Sequence, residues 1–131
     1  MKQATVLYVE DNEYNRKIVR QLLSRTGYRL QEATDGEAAL GMVRTERPDL
    51  ILMDVQLPKM SGLDVTRALR DDPATANVPI IVVTSFALSG DDQRAMAAGA
   101  SAYIAKPYSP RELLALINTF LAGAPSEEKR A

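Results

Sequence analysis

The chain has 131 residues, 46% of them hydrophobic and 25% charged, and its 16 basic and 17 acidic residues leave a net charge of −1. This composition is typical of one globular domain, and it gives no reason to expect a nucleic acid or membrane partner. Cysteine is absent, which excludes disulfides and thiolate chemistry and fits the cytoplasm, where we expect the protein. Histidine is also absent, which excludes histidine-based zinc sites and catalytic triads.

Apolar strands and amphipathic helices alternate along the chain. The predicted strands are 6–9, 30–33, 50–53, 80–83 and 102–105. The predicted helices lie near 13–26, between Asp35 and Pro48, and near 63–71, 91–98 and 109–122. The first, third and fourth strands are apolar throughout, which indicates central strands of a parallel sheet, buried on both faces. The second strand is more polar, as is typical of a sheet edge.

Capping residues mark most of the helix boundaries. In chain order they are Asp11 or Asn12 and Gly27 for the first helix, Asp35 for the second, 89–92 and Gly99 for the fourth, and Ser109 to Glu112 for the last. The last signal combines a serine N-cap with proline at the first helical position and glutamate at the third. It therefore predicts a helix start at this point.

Five strands alternating with five helices predict a doubly wound α/β fold with one parallel sheet. We expect residues 1–122 to form this single domain and residues 123–131 to form a short polar tail, without an output domain. An open parallel sheet presents its ligand site at the carboxyl ends of its strands. The residues at those ends are therefore the first candidates for function.

Polar residues follow four of the predicted strands: Glu10–Asp11, Asp54, Thr84 and Lys106. Each alone is explained more simply as a cap, turn former, strand residue or surface charge, but four on one sheet are hard to attribute to unrelated caps. Two carboxylates about 4 Å apart repel by roughly 4 kcal/mol at an effective dielectric near 20. They would share a proton, recruit the lysine or bind a divalent cation, for which oxygen ligands favour Mg²⁺. An aspartate beside Mg²⁺ can attack phosphorus to give an aspartyl phosphate.

Five segments of the chain resemble the receiver domain of two-component response regulators, over about residues 4–122. They are Val9–Asn12, Leu52–Asp54, Leu57–Gly62, Val83–Ser85 and Tyr103–Pro107. The runs 9–15 and 53–62 are most similar to stand-alone receivers of the DivK type, although some receiver modules of hybrid kinases share them. The resemblance implies a flavodoxin-like sheet of five parallel strands in the order 2-1-3-4-5.

The resemblance implies a metal and a phosphoacceptor at the strand ends. Asp54 is expected to be the phosphoacceptor. Mg²⁺ is expected to bind Glu10, Asp11, Asp54 and the backbone carbonyl of Gln56, with Asp11 and Asp54 as direct ligands. Glu10 stands where aspartate is more frequent in the family, and its longer side chain favours a water-mediated contact with the metal.

Further positions are expected to bind the phosphoryl group and to respond to it. Thr84 and Lys106 would each contact a phosphoryl oxygen, Thr84 and Tyr103 would form the conformational switch, and Pro107 would follow a cis peptide bond. Gln56 and Phe86 occupy positions that tune the lifetime of the acyl phosphate in the family. We expect the bulky Phe86 side chain to restrict the attacking water and to lengthen that lifetime.

The expected partners are proteins, with no nucleic acid or membrane among them. A histidine kinase or phosphotransfer protein would donate the phosphoryl group, docking on the helix that carries Tyr14. The output face is expected to comprise 90–98, 102–105 and 109–122, and to bind a downstream kinase or scaffold protein. On it, Ala95–Ala98 is interpreted equally well as a shallow binding patch or as plain helix packing.

Three other functions compete with this hypothesis. A phosphoryl shuttle in a multistep phosphorelay would use the same site with little conformational output. A flavodoxin-like nucleotide or flavin binder is disfavoured because the turn at 10–13 is acidic and lacks the glycines that hold phosphate. A Mg²⁺-dependent phosphohydrolase is disfavoured because Gln56, rather than an aspartate, stands two residues after Asp54.

Overall fold

The computed structural model describes residues 3–85 and 90–121, in which five strands alternate with five helices. The elements are β1 (Thr5–Val9), α1 (Glu13–Leu23), β2 (Arg29–Ala33), α2 (Gly36–Thr45), β3 (Leu50–Asp54), α3 (Gly62–Asp71), β4 (Ile80–Thr84), α4 (Asp91–Ala98), β5 (Ala102–Ala105) and α5 (Pro110–Leu121). None of these helices combines the length and apolarity needed to cross a membrane.

All five strands are parallel and lie in the order β2-β1-β3-β4-β5. The predicted fold and strand order are therefore confirmed. Every residue of β1, β3 and β4 is buried, because helices cover both faces of these inner strands. The more polar β2 lies at an edge, as predicted, where its Arg29 is exposed.

The sheet has a hydrophobic core on each face because side chains alternate along a strand. Leu7 and Val9 of β1 point to the face that α2, α3 and α4 cover. Val6 and Tyr8 point to the opposite face, which α1 and α5 cover. The strand that follows β1 in the chain, β2, lies on one side of β1, and β3 lies on the other side. The carboxyl ends of β1 and β3 therefore border a crevice at this switch point.

The first helix is shorter than the sequence predicts. Asn12 is its N-cap and accepts a hydrogen bond from the Asn15 amide at 2.9 Å. The helix ends at Leu23 rather than near residue 26, so the prediction of Gly27 as its stop is wrong. The reason is local: the Thr26 hydroxyl donates a hydrogen bond to the Leu23 carbonyl at 2.7 Å and terminates the helical ladder.

The other capping predictions mostly agree with the structure. Asp35 accepts a hydrogen bond from the Ala38 amide, and Ser109 and Glu112 exchange bonds of 2.9 and 3.0 Å in the predicted capping box. Gly99 ends α4 with a φ of 110°, a conformation that favours glycine. Gly90 is the N-cap of α4, whereas Ser89, which was predicted to help cap it, lies outside the described residues.

Candidate functional site

Three carboxylates converge at the carboxyl edge of the sheet. Glu10 follows β1 directly, Asp11 is next to it, and Asp54 is the last residue of β3. One oxygen from each carboxylate lies within 4.8 Å of the others. Glu10 and Asp54 are 1% and 4% exposed, whereas Asp11 is open to solvent. The cluster is thus buried on one side and accessible on the other.

Lys106 provides the positive charge at this cluster. It follows β5, and its amide donates a 2.7 Å hydrogen bond to the carbonyl of Thr84, which anchors it beside the end of β4. Its Nζ atom lies 3.5 Å from Glu10 Oε1 and 3.5 Å from Asp54 Oδ2. Burial opposes the charged form of the amine, but the two carboxylates more than compensate, so the pKa of Lys106 is raised. The Lys106–Pro107 peptide bond is cis.

The two buried carboxylates differ in their affinity for a proton. Burial, followed by a hydrogen bond with Glu10 and repulsion from its charge, raises the pKa of Asp54 to about 7. Burial also opposes ionisation of Glu10, but its interactions with Asp54, Lys106 and the Asn12 amide lower its pKa overall. Burial and the neighbouring charge of Glu10 thus oppose ionisation of Asp54.

The chemistry of this cluster fits a hard divalent cation. All the candidate ligand atoms are oxygens, and one carboxylate is exposed toward the side from which a hydrated ion would enter. Mg²⁺ prefers one or two carboxylates together with water and phosphate oxygens. A single lysine only partly offsets two buried carboxylates and one exposed carboxylate, so a bound cation would relieve their repulsion.

The loop after β3 fixes the phosphoacceptor candidate in place. The Gln56 amide donates to Asp54 Oδ1 at 3.2 Å, and the Gly62 amide donates to the Val55 carbonyl at 2.9 Å. Ser61 is the N-cap of α3 and accepts a bond from the Leu63 amide at 3.0 Å. A Cβ atom on Gly62 would overlap the carbonyl oxygen of Asp54. The sequence predicted a helix start near residue 63 but did not indicate this close approach.

The other predicted residues occupy defined positions around the cluster. Thr84 is fully buried at the end of β4, one residue beyond Val83, the strand partner of Asp54. Tyr103 of β5 pairs with Val82 and is 42% exposed, so its ring points outward. Phe86 lies outside the described residues, and its expected role stays a prediction.

The segment Ala95–Ala98 of α4 contains both buried and exposed side chains. Ala95 and Ala98 are 0% and 4% exposed and belong to the hydrophobic core. Met96, at 47% exposed, is open to a partner. The small alanine side chains allow α4 to pack closely on its neighbours, which is the helix-packing alternative that the sequence left open.

Two residues of the site were not found from the sequence. The buried Tyr8 hydroxyl donates to Glu10 Oε1 at 3.1 Å, and the Arg16 guanidinium donates to the Glu10 backbone carbonyl at 2.9 Å. Tyr8 and Glu10 are separated by two positions, so strand alternation could have placed their side chains together. The Arg16 contact depends on the path of the chain between β1 and α1, which no pattern in the sequence indicates.

The fold and this site together define a doubly wound α/β protein. At the carboxyl edge of its sheet it carries a lysine and three carboxylates whose oxygens are close enough together to hold a metal ion. The sequence model of the response regulator receiver domain family matches residues 6–118 of the chain. The chain is 45% identical over 120 residues to the polar-differentiation response regulator DivK of Brucella anthropi, and the match covers 92% of this chain and 98% of that protein. The chain therefore belongs to the response regulator receiver domain family.

Solved structures agree with this assignment. A response regulator from Chloroflexus aurantiacus matches with a TM-score of 0.88 and 31% identity, over 92% of this chain and 99% of that one. The receiver domain of a sensor histidine kinase from Pseudomonas aeruginosa, with magnesium coordinated in its active site cleft, matches with a TM-score of 0.84 and 35% identity, over 91% and 98% of the two chains. Receiver domains are signalling domains that interact with histidine kinases or phosphotransfer proteins.

Proposed function

We propose that this receiver accepts a phosphoryl group on Asp54 from a histidine kinase or a phosphotransfer protein. The observation that carries the proposal is the placement of Lys106 Nζ at 3.5 Å from both Asp54 and Glu10. An Asp54 carboxylate oxygen would attack phosphorus, forming a P–O bond as the P–N bond of the donor phosphohistidine breaks. The 131 residues contain no histidine, so the donor imidazole lies outside them.

The carboxylates would hold Mg²⁺ during this transfer. The proposed ligands are the clustered carboxylates of Glu10, Asp11 and Asp54, joined by the backbone carbonyl of Gln56. When bound, Mg²⁺ supplies positive charge that favours the ionised nucleophile and offsets the charge of the phosphoryl oxygens. Asp54 needs this help because burial beside Glu10 raises its pKa to about 7.

Phosphorylation would be converted to a signal through Lys106, Thr84 and Tyr103. Lys106 would pair with one phosphoryl oxygen, and the Thr84 hydroxyl would bind another at the adjacent strand end. As Thr84 is drawn toward the phosphoryl group, the outward Tyr103 ring would move inward. The output face formed by α4, β5 and α5 would then bind a downstream kinase or scaffold protein.

The phosphodonor is proposed to dock beside the site. A cleft of about 570 Å³ opens next to the cluster and is lined by Asn15, Ile18, Ser85, Lys106, Pro107, Tyr108 and Pro110. Tyr14 precedes the cleft residue Asn15 in the first turn of α1, and its side chain is 71% exposed. This largely apolar surface beside a reactive carboxylate suits a helix that presents phosphohistidine.

Intact-mass measurement tests the central claim. The protein is incubated with Mg²⁺ and a small phosphodonor, alongside Asp54→Asn and the control Asp64→Asn, which alters an exposed aspartate of α3. Wild type and the control should gain one phosphoryl group, and Asp54→Asn should gain none. No adduct on wild type, or an equal adduct on Asp54→Asn, would defeat the proposal. Adding a phosphotransfer protein afterwards distinguishes a shuttle, which would pass the group onward rapidly.

A further inference from the structure

Tyr8 occupies an unusual place in the core. It lies on β1, it is fully buried, and the rest of its side chain packs among apolar residues of α1 and α5. A buried hydroxyl requires a hydrogen-bonding partner, and the partner of this one is Glu10 Oε1 at 3.1 Å. The largest buried side chain of the inner strands therefore ends on a carboxylate of the acidic cluster.

The contacts of Glu10 show what this hydroxyl does. Oε1 receives the Tyr8 hydroxyl and lies 3.5 Å from Lys106 Nζ, while Oε2 receives the Asn12 amide at 3.2 Å. Both carboxylate oxygens are thus held, each from a different direction. A glutamate side chain has one more rotatable bond than aspartate, so fixing it costs more conformational entropy. The tyrosine hydroxyl supplies a fixed donor that selects one orientation in advance.

A second tyrosine lies between this core cluster and the cleft beside Lys106. Tyr108 packs against the same core cluster. Tyr108 also lines the cleft beside Lys106. The Tyr8 side chain consequently has little freedom to turn away from Glu10, because its ring is enclosed by the core and its hydroxyl is bonded to the glutamate.

We propose that Tyr8 is a positioning residue for the cation site, whose hydroxyl orients the Glu10 carboxylate toward the cluster before the cation binds. The inference rests on the proposed Mg²⁺ site. It goes beyond that site by assigning a residue that is not itself a ligand. It also explains how a glutamate serves at this position: the reach of the longer side chain is limited by a buried donor on the same strand.

Magnesium affinity tests the proposal through the variant Tyr8→Phe, which keeps the ring and removes only the hydroxyl. The dissociation constant for Mg²⁺, from amide NMR shifts, should rise about tenfold, as is typical when a partner of a metal ligand is lost. Tyr28→Phe is the matched control, because it removes a tyrosine hydroxyl that bonds Asn118 far from the cluster. Its dissociation constant should stay within about twofold of wild type.

A metal-free measurement and a double-mutant cycle separate positioning from general structural damage. Without Mg²⁺, the Asn12 amide resonance should shift in Tyr8→Phe but not in Tyr28→Phe, because this amide reports on Glu10 Oε2. In a Glu10→Asp background, Tyr8→Phe should change the affinity by less than about twofold, since the shorter carboxylate is drawn away from the hydroxyl.

The outcomes are distinguishable. If wild type binds Mg²⁺ and Tyr8→Phe binds it equally well, the positioning role is wrong and the receiver function stands. An equal loss of affinity in the wild-type and Glu10→Asp backgrounds would also overturn it, since the effect would not pass through the glutamate. If wild type itself binds no Mg²⁺, the proposed function fails first, and the metal-free Asn12 shift still decides whether Tyr8 orients Glu10.

Discussion

The backbone of Gly62 lies directly against the carbonyl group of Asp54. A Cβ atom on Gly62 would stand 2.8 Å from the Asp54 carbonyl carbon, overlap its oxygen, and come within 3.0 Å of the Met53 side chain. The first residue of α3 therefore packs directly on the carboxyl end of β3. The side chain that would be phosphorylated is held on a strand end that cannot move without displacing a helix.

We expect Gly62→Ala to lower the free energy of unfolding by about 3 kcal/mol, because the added methyl group meets backbone atoms that cannot rotate away. Gly41→Ala is the matched control: Gly41 lies within α2, and a Cβ there meets nothing within 4 Å. The control should gain about 0.5–1 kcal/mol from helix propensity alone. Urea unfolding measures both values. Small and equal effects of the two substitutions would show that the start of α3 shifts easily to accommodate the added methyl group.

The stability of the metal-free protein should depend on the ionisation of Asp54. Its pKa is raised from 3.8 to about 7 by burial beside Glu10. Between these values the unfolded chain has released a proton that the folded chain still holds, so the contribution of Asp54 to stability falls as pH rises from about 4 to about 7. Asp54→Asn removes this penalty. In EDTA at pH 8, we expect it to be more stable than wild type by about 2 kcal/mol.

Denaturation at several pH values checks this expectation. The advantage of Asp54→Asn should shrink toward pH 4, where the aspartate is protonated in both states. Asp64→Asn should show no comparable trend, because Asp64 is exposed and pairs with Arg67 at 3.1 Å on the surface of α3. An advantage of constant size from pH 4 to pH 8 would mean that ionisation of Asp54 is not its cause.

Removal of the ammonium group should have the opposite effect. Lys106 Nζ lies 3.5 Å from an oxygen of each buried carboxylate, so Lys106→Met leaves both without this cation. We expect a loss of about 2 kcal/mol in EDTA at pH 8, and a smaller loss when Asp54→Asn is also present. Lys17→Met, at an exposed position of α1, should change little. Additive effects of the two site substitutions would contradict the proposed coupling.

The sequence predicted the elements well because their signals are local. Strand apolarity, the Asp35 cap and the Ser109–Glu112 capping box each depend on residues within a few positions of one another, and all agree with the structure. The predicted end of α1 was wrong because two local signals compete there. A hydroxyl bond from Thr26 competes with Gly27 as the stop, and residue preferences alone do not decide between them.

The polar residues of the site were predicted, but their supports were not. Strand ends of a parallel sheet meet at one edge, so Glu10, Asp54 and Lys106 could be grouped without coordinates. The overlap between Gly62 and Asp54 depends on how α3 returns to the sheet, and the burial of Ala95 on how closely α4 packs. Such distances arise from the assembled core, which no single segment specifies.

Arg70 makes another contact that the sequence did not predict. Its side chain joins α3 to the segments around β4 and β5. Its guanidinium donates to the carbonyls of Gly99, Ala76 and Val78 at 2.7, 3.0 and 2.7 Å, and to the Ser101 hydroxyl at 3.2 Å. Burial lowers the pKa of Arg70. Removing its side chain would leave these carbonyls without that donor.

We expect Arg70→Met to reduce the free energy of unfolding by about 3 kcal/mol, since hydrogen bonds from a charged donor are lost and acceptors stay partly buried. Arg67→Met, one turn earlier on α3, removes an exposed pair with Asp64 and should cost less than about 0.5 kcal/mol. Hydrogen exchange should show faster opening of the Gly99 and Ala100 amides, which end α4, in Arg70→Met alone. Equal effects of both substitutions would mean that this arginine is only a surface charge. Because α4 and β5 belong to the proposed output face, a weakened Arg70 contact should loosen that face while leaving the Asp54 cluster intact.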